Sequence, residues 1–188
     1  MYYHASNIKN LKVLKPHVSS HGNPWIYFST KPENVLIYLC NAVEKHIKQK
    51  HNRPLKQYIK WASYGICADG RVRIEEYYKK ATEETFKGVS GYIYKVNQLK
   101  NLQPLNGIKD VFVTNEEVVV DDCYFISDAY EEILKAEQEG IILIERFEDI
   151  TEKKRIWIEK TILNEYKNTN NEDYKEFLID KFNWLKNK

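Results

Sequence analysis

Glycine and proline are scarce in this chain, seven and five among 188 residues, and no glycines fall at the spacing G-x-G-x-x-G or G-x-x-x-x-G-K-[ST]. The common phosphate-cradling loops, which need bare backbone close to the anion, are therefore excluded. Cysteine is sparse and odd in number: Cys40, Cys67 and Cys123 lie far apart with no C-x-x-C pair. Neither a disulfide framework nor a zinc knuckle is expected, only reduced, mostly buried thiols, and no metal. No apolar run approaches the roughly 20 residues needed to span a bilayer, so no membrane association is expected. Met1-Tyr2-Tyr3-His4 also lacks the basic-then-apolar order of a signal peptide, and the expected location is cytoplasmic. A dominant charge sign is missing too: 29 basic and 27 acidic side chains leave a net +2. With the two signs interspersed, no grip on nucleic acid is expected.

What the chain does have is apolar and aromatic mass, 43% hydrophobic and 13% aromatic residues with fourteen tyrosines, enough to bury a core. Its length suits one domain plus a small extension. Turn signals and β-rich runs predict strands at 1–4, 25–28, 58–67, 91–96, 108–114, 118–121, 124–126 and 141–144. Helical spacing predicts helices at 33–48, 74–86 and 128–138. Pro32-Glu33 suits the first turn of the first, and Ser127-Asp128 and Gly140 bracket the third. Two further helices, 152–167 and 172–187, are separated by an Asn168-Thr169-Asn170-Asn171 hinge. Tyr174, Phe177, Leu178, Phe182 and Leu185 give the last one an apolar stripe that packs on the domain or on a second copy as a homodimer. Short strands beside polar turns, with helices set apart, indicate an α+β fold with a mixed or antiparallel split sheet. The expected organisation is an α+β domain at 1–149 and a helical appendage at 150–188.

Three segments carry candidate chemistry. Tyr2-Tyr3-His4-Ala5-Ser6 puts a histidine at the end of the first strand. Ile26-Tyr27-Phe28-Ser29 is an aromatic strand, with Tyr38 eleven residues after Tyr27. Asn115-Glu116-Glu117-Val118-Val119-Val120 sets acids directly before a β-branched strand. In this order the trio resembles the His–Tyr–Glu signature of the ADP-ribosyltransferase fold, especially the branch with the poly-ADP-ribose polymerases. The resemblance covers residues 1–126 and is carried by short motifs.

The resemblance implies NAD as substrate and a division of roles. The His matching His4 orients a ribose hydroxyl, and tyrosines matching Tyr27 and Tyr38 sandwich the nicotinamide ring. A carboxylate matching Glu116 stabilises the positive charge that develops on the sugar. Backbone groups of Ala5 read the carboxamide. Strand alternation lets only one of Glu116 and Glu117 face such a cleft, and Glu145, ending a predicted buried strand, is a substitute acid. Two positions depart from the family: Ala5 stands for the usual glycine, and Val35 for a serine ahead of Tyr38. The alternative function is therefore a non-catalytic binding or assembly protein on the same scaffold, with the C-terminal helices as its interface.

Plainer roles compete residue by residue. His4 reads equally as an ordinary strand histidine, Tyr27 and Tyr38 as core aromatics, and Glu116-Glu117 as a solvated turn. His17 and His21 are four apart, but the Ser, Gly and Pro around them make a loop, not a metal-binding helix face. Cys40 reads as a small hydrophobe on the first predicted helix, and Asp121-Asp122 as an edge or turn pair.

Overall fold

The computed structural model describes residues 1–18, 22–61, 63–105 and 107–187. The fold is α+β. Its strands are β1 (Tyr2–Ser6), β2 (Val13–Leu14), β3 (His17–Val18), β4 (Pro24–Ser29), β5 (Tyr64–Ile66), β6 (Val72–Glu75), β7 (Gly91–Val96), β8 (Gln103–Pro104), β9 (Val111–Thr114), β10 (Val118–Val119), β11 (Asp122–Ile126) and β12 (Ile142–Glu145). The α-helices are α1 (Ala42–His51), α2 (Ala81–Phe86), α3 (Ala129–Gln138), α4 (Glu152–Asn168) and α5 (Glu172–Lys181), with a 3-10 helix at Glu33–Tyr38.

Two compact units interleave along the chain. One comprises Met1–Cys40, Tyr64–Ile74 and Phe86–Ile144; the other comprises Asn41–Ser63, Glu75–Thr85 and Glu145–Lys188. The sequence reading set a boundary at 149/150. The C-terminal helices instead share their unit with two internal stretches, because the apolar stripe of α5 is covered by α1 and by Trp61.

The first unit is built on a seven-stranded sheet of order β11-β7-β1-β4-β9-β8, with β3 paired to the start of β4. Its recorded ladders are antiparallel. Alternating Tyr92, Ile93, Tyr94 and Val96 give β7 two buried faces, as a central strand requires. One face carries Ala5, Val35, Leu36 and Ile93, together with Ala129 and Ile133 of α3. The other carries Leu14, Ile26, Phe28, Tyr94, Val96 and Val118. Gly91 is required by a close approach: a Cβ there would lie 2.5 Å from Leu39 Cδ2. Asp128 starts α3 by accepting from the amides of Tyr130 and Gly88, each at 2.9 Å.

The second unit is held by aromatic packing of Trp61, Tyr78, Tyr174, Phe177 and Phe182 around Val43 and Ile47 of α1. Asn171 and Thr151 cap α5 and α4 through their side-chain oxygens.

Three element predictions are corrected. The single helix expected at 33–48 breaks into the 3-10 helix and α1. Asn41 adopts an extended backbone between them, accepts from Val43 N–H and donates to the Ile59 carbonyl at 2.7 Å. The helix expected at 74–86 is largely strand and turn. Buried Val72 and Ile74 pair in β6, Lys80 has φ +62°, and only Ala81–Phe86 is helical. The strand expected at 58–67 shrinks to β5, the residues with partners on β6.

Candidate functional site

The β1–β4 junction, in the interior of the large sheet, has the fewest paired residues. β1 pairs with β7 over five residues and β4 with β9 over four, whereas β1 and β4 share the single pair Tyr3↔Ser29. Extending that register by two would set Ala5 opposite Tyr27. The side chain of His4 takes the place of that rung, its Nδ1 lying 2.9 Å from the Tyr27 carbonyl oxygen.

Since a carbonyl only accepts, Nδ1 carries the proton in this bond, and Nε2 of the neutral ring is left with its lone pair. Burial holds the His4 imidazole below its ordinary proton affinity. The Tyr27 carbonyl opposes this, and the nearby His17 charge adds to the lowering. The ring also lies against Phe28, centroids 5.8 Å apart. His4 is thus a neutral, oriented hydrogen-bond acceptor at its Nε2. The backbone of Ala5 occupies the strand position that β4 leaves without a register partner.

Tyr27 and Tyr38 come within electrostatic reach of each other. Burial, and secondarily the charge of Tyr27, push the Tyr38 hydroxyl up to about 12. Both rings are half-buried. Tyr38, at the end of the 3-10 helix, is steadied edge-on by Tyr64 at 6.2 Å, and Tyr27 similarly by Trp25 at 6.2 Å. The structure therefore links His4 to the backbone of Tyr27 and places Tyr38 at the end of a 3-10 helix that packs against β1 and β4. Val35 is fully buried and lies in the core.

Glu116 and Glu117 stand in the exposed turn between β9 and β10. Glu116 accepts from Asn101 Nδ2, and its amide donates to Thr114 Oγ1 at 3.2 Å. Glu117 is ion-paired with Lys15 at 3.2 Å. Glu145, the substitute acid, is held in the second unit by Lys154, which also meets Glu75 at 3.2 Å.

The remaining candidates divide. Asp121 accepts from Asn97 N–H at 2.7 Å, and Asp122 pairs with Lys95 at 3.0 Å, as fits an edge strand. Cys123 is exposed on that edge, not buried as expected. Cys40 is half-buried in the link before α1, not on a helix. His17 is exposed on β3, and His21 lies outside the described residues. Among the described residues no three metal-ligating side chains converge, and no helix is long and apolar enough to cross a membrane.

Tyr94 was invisible as a site residue in the sequence, where it reads as one more strand aromatic. It sits directly opposite His4 on β7. Its buried hydroxyl donates to Ile8 O at 2.6 Å and accepts from Leu11 N at 3.2 Å, so it holds both ends of the turn that follows β1. Comparison with protein-family models, curated proteins and solved structures returned no match.

Proposed function

We propose that the β1–β4 junction is a nucleotide cleft of the ADP-ribosyltransferase type, taking the nicotinamide-ribose end of NAD. The observation that carries this reading is the His4–Tyr27 hydrogen bond, which leaves Nε2 as an oriented acceptor for a ribose hydroxyl. Its support is that the 3-10 helix carrying Tyr38 packs against β4, which carries Tyr27, so two half-buried flat rings of the kind that stack on a nicotinamide lie on neighbouring elements. In this reading Ala5 offers backbone groups to the carboxamide. Glu116 is the acid, since Glu117 is already paired with Lys15.

Calorimetric titration with NAD, nicotinamide and AMP tests the cleft. Saturable NAD binding abolished in folded Tyr27→Ala and His4→Ala proteins is the expected result. Absence of heat at millimolar ligand would remove the proposal.

One observation favours a second reading, a cleft that binds without catalysing: both candidate acids are exposed and engaged by Asn101 and Lys15. Glu116→Gln separates the two. It abolishes NAD turnover if the acid is catalytic. If the cleft only binds, wild-type protein shows binding without turnover.

A further inference from the structure

The two sides of α4, in the second unit, are put to different uses. Ile158 and Ile162 pack into the core that holds Phe177. On the opposite side Lys153, Lys160 and Lys167 recur every seven residues, and all three are exposed. At 3.6 residues per turn they form one row along the helix, with about 10 Å between successive lysines. Ile156 and Leu163 follow one flank of this row, and Trp157 stands on the other. Ile156 is 45% exposed and Trp157 51%, and the indole is steadied edge-on by Tyr77 at 6.0 Å.

The row is not neutralised from within. Lys154 and Arg155, beside it on the same helix, are ion-paired, Lys154 with Glu75 at 3.2 Å and Arg155 with Glu152 at 3.8 Å. Lys153, Lys160 and Lys167 have no carboxylate partner among the described residues. Within α4 no acid lies three or four residues from any of them, the positions from which a helical neighbour could reach. The exposed acids Glu152 and Glu159 lie beyond Ile156 and Leu163, off the row.

We propose that this face of α4 docks an acidic amphipathic helix of another protein. Taken as heptads, the lysines fall at a, Ile156 and Leu163 at d, and Trp157 at e. A second helix with the same repeat meets all of them in register if it carries acids against the lysines and aliphatic side chains against Ile156 and Leu163. A second copy of α4 would set lysine against lysine in either orientation, so the face selects a different partner. A lipid surface has no repeat to match the seven-residue register. The inference is independent of the nucleotide reading and gives the C-terminal helices a heteromeric interface.

Fluorescence anisotropy tests it on the full chain with two labelled synthetic peptides about three heptads long. One has leucine at d and glutamate at a, and the other has lysine in place of the glutamate. The proteins are wild type, Lys153→Gln/Lys160→Gln/Lys167→Gln, Lys153→Glu/Lys160→Glu/Lys167→Glu, and Lys9→Glu/Lys12→Glu, which reverses two exposed lysines of the first unit. Every substituted side chain is exposed, so the variants are expected to melt as wild type does. Wild type and the Lys9/Lys12 variant are expected to bind the acidic peptide alike, more weakly as salt rises, with a gain of peptide helix in circular dichroism. The triple glutamine variant is expected to lose about tenfold in affinity, and the triple glutamate variant to bind the basic peptide instead. An acidic peptide that fails to bind, or that binds wild type and both triple variants alike, overturns the proposal. So does an equal loss in the Lys9/Lys12 variant, which would mark attraction to the chain as a whole. Vesicles of phosphatidylserine and phosphatidylcholine supply the last arm. Co-sedimentation that the triple glutamine variant loses, without peptide binding, overturns the helical partner and assigns the row to an anionic membrane.

Discussion

The imidazole of His4 closes on the backbone carbonyl of Tyr27 at the point where the β1–β4 ladder stops, so a side chain stands where a strand amide would. This couples the protonation of one residue to the geometry of the strand beside it. A histidine whose proton affinity is lowered by folding contributes stability that is complete above the unfolded value of 6.5. That stability is lost as pH falls from 6.5 through the folded value.

The His4 ring is therefore expected to titrate below 6.5 in NMR, and wild type to lose more thermal stability between pH 7 and pH 5 than His4→Gln. Glutamine keeps a donor for the Tyr27 carbonyl but has no proton to gain. Equal acid sensitivity of the two proteins would show that folding does not lower the proton affinity of His4.

Tyr94→Phe removes one hydroxyl that satisfies Ile8 O and Leu11 N together. The expected cost is about 1–3 kcal/mol in denaturant unfolding, the range for leaving partly buried polar groups unpaired. The local signature is faster hydrogen exchange at the Leu11 amide, with the β7 amides still protected.

Much of this architecture was legible in the sequence where local chemistry and tertiary context agree. The alternation of Gly91 to Val96, the Asp128 cap and the 168–171 break between two helices all correspond to elements now seen. The α5 stripe was legible as a stripe, but its cover was not, since Val43, Ile47 and Trp61 are more than 100 residues away. Glu75 and Glu76 misled in the opposite sense. Their charge suggested an outer helix face, yet both are buried. Glu76 accepts from Thr82 and Phe147 amides, and Glu75 meets Lys154 and the Tyr77 hydroxyl. Phe147 and Lys154, more than 70 residues away, leave no periodic trace. At the candidate site, the placement of His4 and Tyr27 on strands was legible. The side-chain rung and the Tyr94 clamp depend on strand register, which a sequence does not print.

Truncation after Asp149 is expected to unfold the second unit. It removes Phe177, Leu178 and Phe182, whose rings and branches cover Val43, Ile47 and Trp61. With Trp25, Trp157 and Trp184 replaced by Phe in the full-length protein and Trp25 in the truncated one, Trp61 is the single reporter, and its emission should shift to the red on truncation with loss of a cooperative transition. The milder Phe177→Ala, at a fully buried ring, should cost about 3–5 kcal/mol. A truncated protein that keeps the blue-shifted emission and melts cooperatively would show that the C-terminal helices are a separable appendage.

Asp173 supplies the last expectation. Its carboxylate is buried at the start of α5, where it takes both forks of Arg53, at 2.6 and 3.2 Å, and the Lys56 amide at 2.8 Å. These bonds, the Arg53 fork foremost, hold its proton affinity below the usual carboxylate value. A carboxylate lowered on folding contributes stability that is present above its unfolded value, near 3.8, and is lost as pH falls through the folded one. Asp173→Asn should therefore flatten the acid limb of the stability curve below about pH 4 while lowering stability at neutral pH. Asp173→Ala should go further, by about 2 kcal/mol at pH 7, because the Lys56 amide loses its acceptor as well. That figure sits below the fully buried case because Arg53 is about one-third exposed and recovers water when released. Urea denaturation of the three proteins at pH 7 and pH 3.5 measures both effects. Curves that stay parallel across that interval would place the acid sensitivity in the more exposed α1–α5 pairs, Lys50 with Glu176 and Asp180 and His51 with Glu176, and not in Asp173.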